Sequence, residues 1–390
     1  MLKLLRSLVS GRSTPELFPP DAPCASTTLI IEEGIDAFDV KSHLLDANGF
    51  PVLDWRAAQQ WVESVHSAQA QAAAWVSCEQ AWLEHLRAAL GSGYSLVIKN
   101  EVALLSSLEA NVAMATIAFV AKTRQRIVRV LDGVAQVPEW GRDILVVFDD
   151  EEEYYRYVAH YYPEAGDFAA SGGMFIHHGC GHFVTVMADL RAIEPVIAHE
   201  LTHSCLSHLP IPAWLNEGLA VNTEQRLCPP PSGAFNSRSS PQQMQSRHRK
   251  FWKSQEIQEF WSGKSFLRAD EGSELSYDLA RIMVSQFAAN WEQFRSFALE
   301  ANSEDGGAAA ARTHLGIELG RVASALLEQD IDGRFEPNPS TWSGTPERGA
   351  FSQNAREPII RNCRDNMLQP LFYNSARAPH ISTLGVDGTI

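Results

Sequence analysis

Apolar residues recur three and four positions apart over several long stretches of this chain, the spacing of helices with one buried face. Residues 54–90 carry Trp55, Trp61, Val62, Val65, Trp75, Trp82 and Leu86 in that pattern, interrupted by a polar Ala/Gln stretch. Gly91-Ser92-Gly93 stops the run, and Tyr94 to Ile98 then reads as a strand. The same spacing predicts a long helix over about 101–131, a buried strand over 143–148 and a helix from 149 to 162. Residues 172–187 read as a strand pair or an edge strand. Helices are expected over 194–207 and 212–227, and a long polar loop over 229–250. Further helices are expected at 251–260, 275–289, 291–301 and 308–329. After Asp332, prolines, Ser and Asn without periodicity predict an extended or disordered tail, 333–390. Residues 1–26, rich in Pro, Ser and Gly, are expected to be poorly ordered.

Composition narrows the functions open to these elements. The 390 residues hold 32 Lys+Arg against 47 Asp+Glu, a formal charge of −15. Such a chain offers no cationic surface for phosphates, so a nucleic-acid partner is not expected. No apolar run approaches the ~18 residues of a membrane span, and no membrane partner is expected. The first residues lack the apolar centre of a secretion signal. Six cysteines stand far apart without a CxxC pair, which favours reduced thiols and a cytoplasmic location.

Two stretches invite chemical readings that simpler ones compete with. Five carboxylates in a row, residues 149–153, suit the N-terminus of a helix, where acidic groups cap free N–H groups and meet the dipole. His177-His178-Gly179-Cys180-Gly181-His182 would place residues 178, 180 and 182 on one face of a strand. That is either a soft-metal cluster or the polar wall of a cleft.

One segment stands above these. In His199-Glu200-Leu201-Thr202-His203 the two histidines are one helical turn apart, so their imidazoles can converge on one ion. Glu200 is then placed to take a proton from water rather than to ligate. With 13 His in 390 residues, about 0.03 chance matches to this pattern are expected. A zinc site of two His needs a third protein ligand. Trp214-Leu215-Asn216-Glu217-Gly218-Leu219-Ala220 supplies one in Glu217, fourteen residues past His203, with Pro212 opening the second helix.

His-Glu-Leu-Thr-His followed by Trp-Leu-Asn-Glu-Gly-Leu-Ala resembles the gluzincin metallopeptidases, the clan of thermolysin and the zinc aminopeptidases. The likeness spans about 94–330 and is strongest over 172–224. It implies an α+β zincin-like fold, a small mixed sheet over the His-Glu-x-x-His helix with a helical C-terminal lobe. It also implies one Zn2+ held by His199, His203 and Glu217, with Glu200 as general base. Asn216 and Glu224 would then support the ligand histidines, though Glu224 reads equally as an exposed helix residue. Tyr277, sixty residues past Glu217, sits where the aminopeptidase branch has its oxyanion-stabilising tyrosine; half-buried packing is the competing reading. Gly173, Met174 and Phe175 match a substrate-binding strand, but Phe175 stands where the aminopeptidases have the glutamate that binds a free amine. The resemblance therefore implies an endopeptidase acting on a peptide or protein substrate. Its alternatives are a zincin-like binding protein without catalysis and a zinc hydrolase of another amide or ester. In this reading residues 27–92 are a helical N-terminal extension and 93–332 the catalytic domain.

Overall fold

The structure is a computed structural model. It describes residues 15–19, 28–31, 34–138, 141–161, 173–177, 179–188, 190–229, 240–268, 270–342 and 359–362. Within them the fold is mixed α/β and mostly helical. The expectations for residues 1–26 and 343–390 fall largely outside this set.

Three short strands, β1 (Glu16–Phe18), β2 (Thr28–Leu29) and β3 (Phe38–Asp39), come first, then the hairpin β4 (Leu44–Ala47) and β5 (Phe50–Leu53). Helices α1 (Trp55–Ser64) and α2 (Ala68–Leu90) follow, opened by the side chains of Asp54 and Ser67, which accept backbone N–H bonds. The segment expected as a purely helical extension thus begins with strands. Nor is it an appendage: Trp82, Leu83 and Leu86 of α2 pack against one face of the main sheet. That burial needs partners distant in sequence, which helical spacing alone does not display.

Strands β6 (Ser95–Lys99) and β7 (Val102–Ser106) form a hairpin that turns at Asn100, whose φ is +54°. The helix expected from residue 101 therefore starts later, as α3 (Ala110–Val130). Val102 to Ser106 are all buried, and a short apolar run of this kind suits either element on pattern alone. Strand β8 (Asp143–Phe148) precedes α4 (Glu151–Ala159), whose first N–H groups are capped by Asp150. The acidic run thus meets its capping reading. Then come β9 (Gly173–His177) and β10 (His182–Val186).

These strands build one sheet in the order β1-β6-β7-β8-β10-β9, with β11 (Ile359–Asn362) outside β9. β7, β8 and β10 run parallel, while β9 is antiparallel to β10. Alternation along each strand gives the sheet two apolar faces. Leu145, Val147, Phe175 and Phe183 meet α3 and the helix α5 (Leu190–Leu206). Ile144, Val146, Met174, Ile176 and Val184 meet α1, α2 and α4.

The remainder is helical: α6 (Ala213–Leu227), α7 (Pro241–Phe251), α8 (Ser254–Ser262), α9 (Glu271–Phe287), α10 (Trp291–Glu300), α11 (Ala308–Ala310) and α12 (Leu319–Leu326). Helix α7 occupies part of the expected loop. It is nucleated by a reciprocal cap in which Ser240 and Gln243 bond each other's backbone, with Pro241 at the first position. The expected helix over 308–329 is broken at Gly316, whose φ is +66°. The start of the expected tail is anchored at one buried residue. Phe335 is buried, and its carbonyl accepts from Trp261 Nε1 at 2.8 Å. No helix among the described residues is long and apolar enough to cross a membrane.

The contact that positions the site is α6 against α9. A Cβ on Gly218 would stand 2.6 Å from the Ala280 carbonyl oxygen and 2.6 Å from Val284 Cγ2. Glycine is therefore what lets the two backbones meet. Asn222 Nδ2 pins them, donating to Gly218 O at 2.7 Å and Arg281 O at 2.9 Å. Trp214 ties α6 to the C-terminal lobe by donating from Nε1 to Gly306 O at 2.9 Å. Gly218→Ala is expected to lower stability by about 1–3 kcal/mol in urea melts, despite alanine's ~1 kcal/mol better helix propensity. An unchanged or raised midpoint would contradict the close approach.

On the far face, Glu79 of α2 is fully buried beneath the start of β8. It accepts from the Arg142 backbone N–H at 3.2 Å and lies 4.0 Å from that guanidinium. Burial pushes its carboxyl up to about 8, against the pull of Arg142. The native protein thus keeps a proton that the unfolded chain releases near pH 4.5. Stability should fall as pH rises from 4.5 toward 8. Urea titrations between pH 5 and 8 should show wild type losing stability relative to Glu79→Gln; a constant difference would refute the assignment.

Candidate metal centre

Helix α5 presents His199, Glu200 and His203, each buried, with one ligand-type atom apiece and all three atoms within 4.8 Å of one another. Among the described residues this is the group that could hold a metal ion. The chain leaves α5 at Leu206, turns through Leu209-Pro210 and re-enters helix at Ala213, with the Pro212 carbonyl accepting from Leu215 and Asn216. That short return lays α6 beside α5. It brings Glu217 Oε2 to 3.4 Å from His199 Nε2 and 3.2 Å from His203 Nε2.

The outer ring nitrogens decide what those Nε2 atoms can do. His199 Nδ1 is 3.1 Å from Glu224 Oε2, and His203 Nδ1 is 2.5 Å from Asn216 Oδ1. Both acceptors are oxygens, so each Nδ1 carries the proton and donates it. In a neutral ring, Nε2 is then left with its lone pair toward Glu217. A carboxylate oxygen about 3.3 Å from each of two electron-rich nitrogens is repelled unless a cation stands among them. That spacing is what three donors about 2.0–2.1 Å from a tetrahedral zinc ion would have. The residues therefore fit a divalent metal of zinc's ligand preference. Burial alone would raise the Glu217 carboxyl; only positive charge on His203 and His199, from protons or from a cation held between them, outweighs it and holds the carboxyl well below the usual carboxylate range. Glu224 moves the other way: its burial raises it, and the bond to His199 only partly opposes the shift.

Tyr277 reaches the cluster from α9. Its ring centroid lies 6.4 Å from that of His199, and the edge-on ring of Phe266 packs against it at 5.1 Å. It is half-buried, as the packing reading had it, and it stands beside His199.

The substrate-strand residues divide between the two faces. Phe175 lines a cavity of 20 Å³ with Glu200, Ile197, Leu201 and Phe183, between sheet and α5. A Cβ on Gly173 would meet Phe183 and Val196, so this strand runs against α5 one turn before His199. Met174 does not join them. Its side chain is buried on the opposite face, because successive residues of a strand alternate, and only its backbone can serve a ligand at the strand edge.

The second metal reading finds no support in His182. Its Nδ1 lies 3.1 Å from the Cys180 carbonyl oxygen and its Nε2 2.8 Å from the Tyr157 hydroxyl, with Trp82 packed 4.9 Å away. Both ring nitrogens are engaged in the core on the face away from α5. Cys180 is a buried thiol pushed well above its ordinary range by burial. His178 and the side chain of His177 lie outside the described residues.

Asn216 is the most direct probe of this arrangement, since it touches the candidate ligand His203 from outside the cluster. Asn216→Ala is expected to weaken affinity for a divalent metal about 10–100-fold in a chelator competition. Affinity within twofold of wild type would show that the His203 contact does not orient the ring. The chain matches no protein-family model and no curated protein, so the reading of the site rests on its own chemistry.

Proposed function

We propose that this protein is a zinc-dependent peptidase of gluzincin type, cutting within peptide chains. The observation that carries the proposal is Glu217 Oε2 at 3.2 and 3.4 Å from two imidazole nitrogens whose partner nitrogens are locked by Asn216 and Glu224. A mixed sheet above α5 and a helical lobe behind α6 support the zincin-type reading of the fold.

Zinc held by His199, His203 and Glu217 would supply Lewis acidity toward a water and the scissile carbonyl. Glu200, buried on the same helix, takes the proton of the attacking water as its oxygen bonds to the carbonyl carbon. It passes that proton to the amide nitrogen as the C–N bond breaks, and the acid's remaining proton goes to the departing amine, giving a carboxylate and an ammonium group. Tyr277 donates its phenolic proton in a hydrogen bond to the oxyanion. Asn216 and Glu224 keep the ligand rings turned inward. Glu200 favours a hydrolase over a binding protein, because a purely structural metal site has no use for that carboxylate. Phe175, buried where an amine-binding carboxylate would stand, favours internal cleavage over removal of N-terminal residues.

Mixed-peptide libraries read by mass spectrometry test this. Wild type should make internal cuts. Glu200→Gln should retain one zinc per chain and lose about 10²–10⁴-fold in rate, and Tyr277→Phe about 10²-fold in kcat with KM little changed. Full hydrolysis by zinc-loaded Glu200→Gln would overturn the mechanism. Zinc binding without cleavage by wild type would move the reading to a peptide-binding protein.

A further inference from the structure

Helix α9 is held on two sides. Toward α6 it meets Gly218 and Asn222, and toward α7 it is held at Asp278, the residue after Tyr277. Neighbouring helix positions point about 100° apart, so Tyr277 turns to His199 while Asp278 turns to α7. Buried His248 of α7 has its Nε2 2.9 Å from Asp278 Oδ2 and its Nδ1 2.9 Å from Nε1 of the fully buried Trp252. An indole N–H can only donate, so Nδ1 is the acceptor and the ring proton sits on Nε2, which donates to Asp278. His248 is thus fixed in one tautomer and one orientation.

Arg281 donates to the other carboxylate oxygen of Asp278, from Nη2 at 2.7 Å and Nε at 3.2 Å. Burial would raise the Asp278 carboxyl, but the bonds from His248 and Arg281 hold it below its ordinary range, as an ionised acceptor. The pairs of Arg247 with Glu271 and Glu274 also join α7 to α9, but they are part-exposed and contribute little beside it. A second path runs from Trp252 to the same tyrosine. Its indole meets Phe260 edge-on at 5.7 Å, Phe260 stacks on Phe266 at 5.7 Å, and Phe266 packs edge-on against Tyr277 at 5.1 Å. Phe266 is itself tied to α9: Ser273 Oγ donates to its carbonyl at 3.0 Å, and Ser276 Oγ to Ser265 Oγ at 2.7 Å. The two paths close a loop. Polar bonds fix the helix beside Tyr277 and packed rings fix its phenol, both from one buried indole.

We propose that Trp252, His248 and Asp278 are positioning residues that, with Phe266, clamp the phenol of Tyr277 beside the metal centre. The clamp stands on these contacts alone; its effect on catalysis rests on the peptidase reading above. A phenol that donates to an oxyanion must be in place before the charge develops, so displacing it costs rate rather than binding.

The test uses the full-length protein and Asp278→Asn, which keeps the side chain's size but loses the ionised acceptor, alone and combined with Tyr277→Phe. With Tyr277 present, Asp278→Asn should lower kcat for peptide hydrolysis about tenfold with KM within twofold. In the Tyr277→Phe background it should change kcat less than about twofold, since the clamp has no hydroxyl left to place. Equal losses in both backgrounds, the mark of a merely structural role, would overturn the clamp. A fluorotyrosine at position 277 reads the same placement without turnover. Its fluorine NMR line should shift or split in Asp278→Asn, and an unchanged line would overturn the proposal. Trp252→Phe keeps a ring in place and removes the Nε1 donor; it should move the line in the same way, and it decides the matter if Asp278→Asn does not fold. A moved line with no hydrolysis by any of the proteins, wild type included, would keep the clamp and sink the peptidase reading instead.

Discussion

A carboxylate buried between two imidazole lone pairs is the constraint around which this molecule is arranged. Glu217 is a charge removed from water, and burying it without a positive partner would cost more than most single interactions in the fold can return. Its neighbours turn that liability into a site. Asn216 and Glu224 hold the outer ring nitrogens of His203 and His199, so the inner nitrogens face Glu217 across 3.2 and 3.4 Å. A divalent cation would satisfy all three at once. The arrangement depends on α6 lying where it does, and α6 lies there because Gly218 admits the backbone of α9 and Trp214 is sunk into the lobe.

Three buried glutamates show how far surroundings decide the state of one side chain. Glu217 is held far below its ordinary range once positive charge sits on or between the two imidazoles. Glu224, with only the far side of His199 to face, is raised by burial. Glu79, deep on the other face of the sheet beside one guanidinium, is pushed up to about 8. All three are buried, so the difference lies in the number and closeness of cationic or donor partners. Around Glu79 the Arg142 guanidinium stands off at 4.0 Å, and the donors of Arg142 and Trp75 do not offset its burial.

The convergence of the candidate metal-centre residues was legible because they are local. His199 and His203 are one turn apart, and Glu217 follows after a single helix reversal marked by Pro210 and Pro212. Glu224 lies two turns beyond Glu217, so its nearness to His199 follows once the two helices are antiparallel. Distant pairings were harder to read. Val102 to Ser106 is a short apolar run that only its position between β6 and β8 marks as a strand. Met174 was placed with the site because sequence does not say which face of β9 is turned to α5. His182 resembled a ligand until Tyr157, twenty-five residues away in sequence, was found on its Nε2. Helix α7 is different: Ser240, Pro241 and Gln243 together are a helix-start signal, obscured by the polar residues around it.

Zinc-edge X-ray absorption on the full-length protein, purified without added metal, tests the central claim most directly. The account predicts one zinc per chain, with only nitrogen and oxygen neighbours at about 2.0–2.1 Å and the outer-shell scattering of two imidazoles. Changing Glu217 to Ala should remove one of the oxygen neighbours. A sulfur neighbour at about 2.3 Å, or a spectrum unchanged by the loss of Glu217, would place the metal elsewhere and contradict the account.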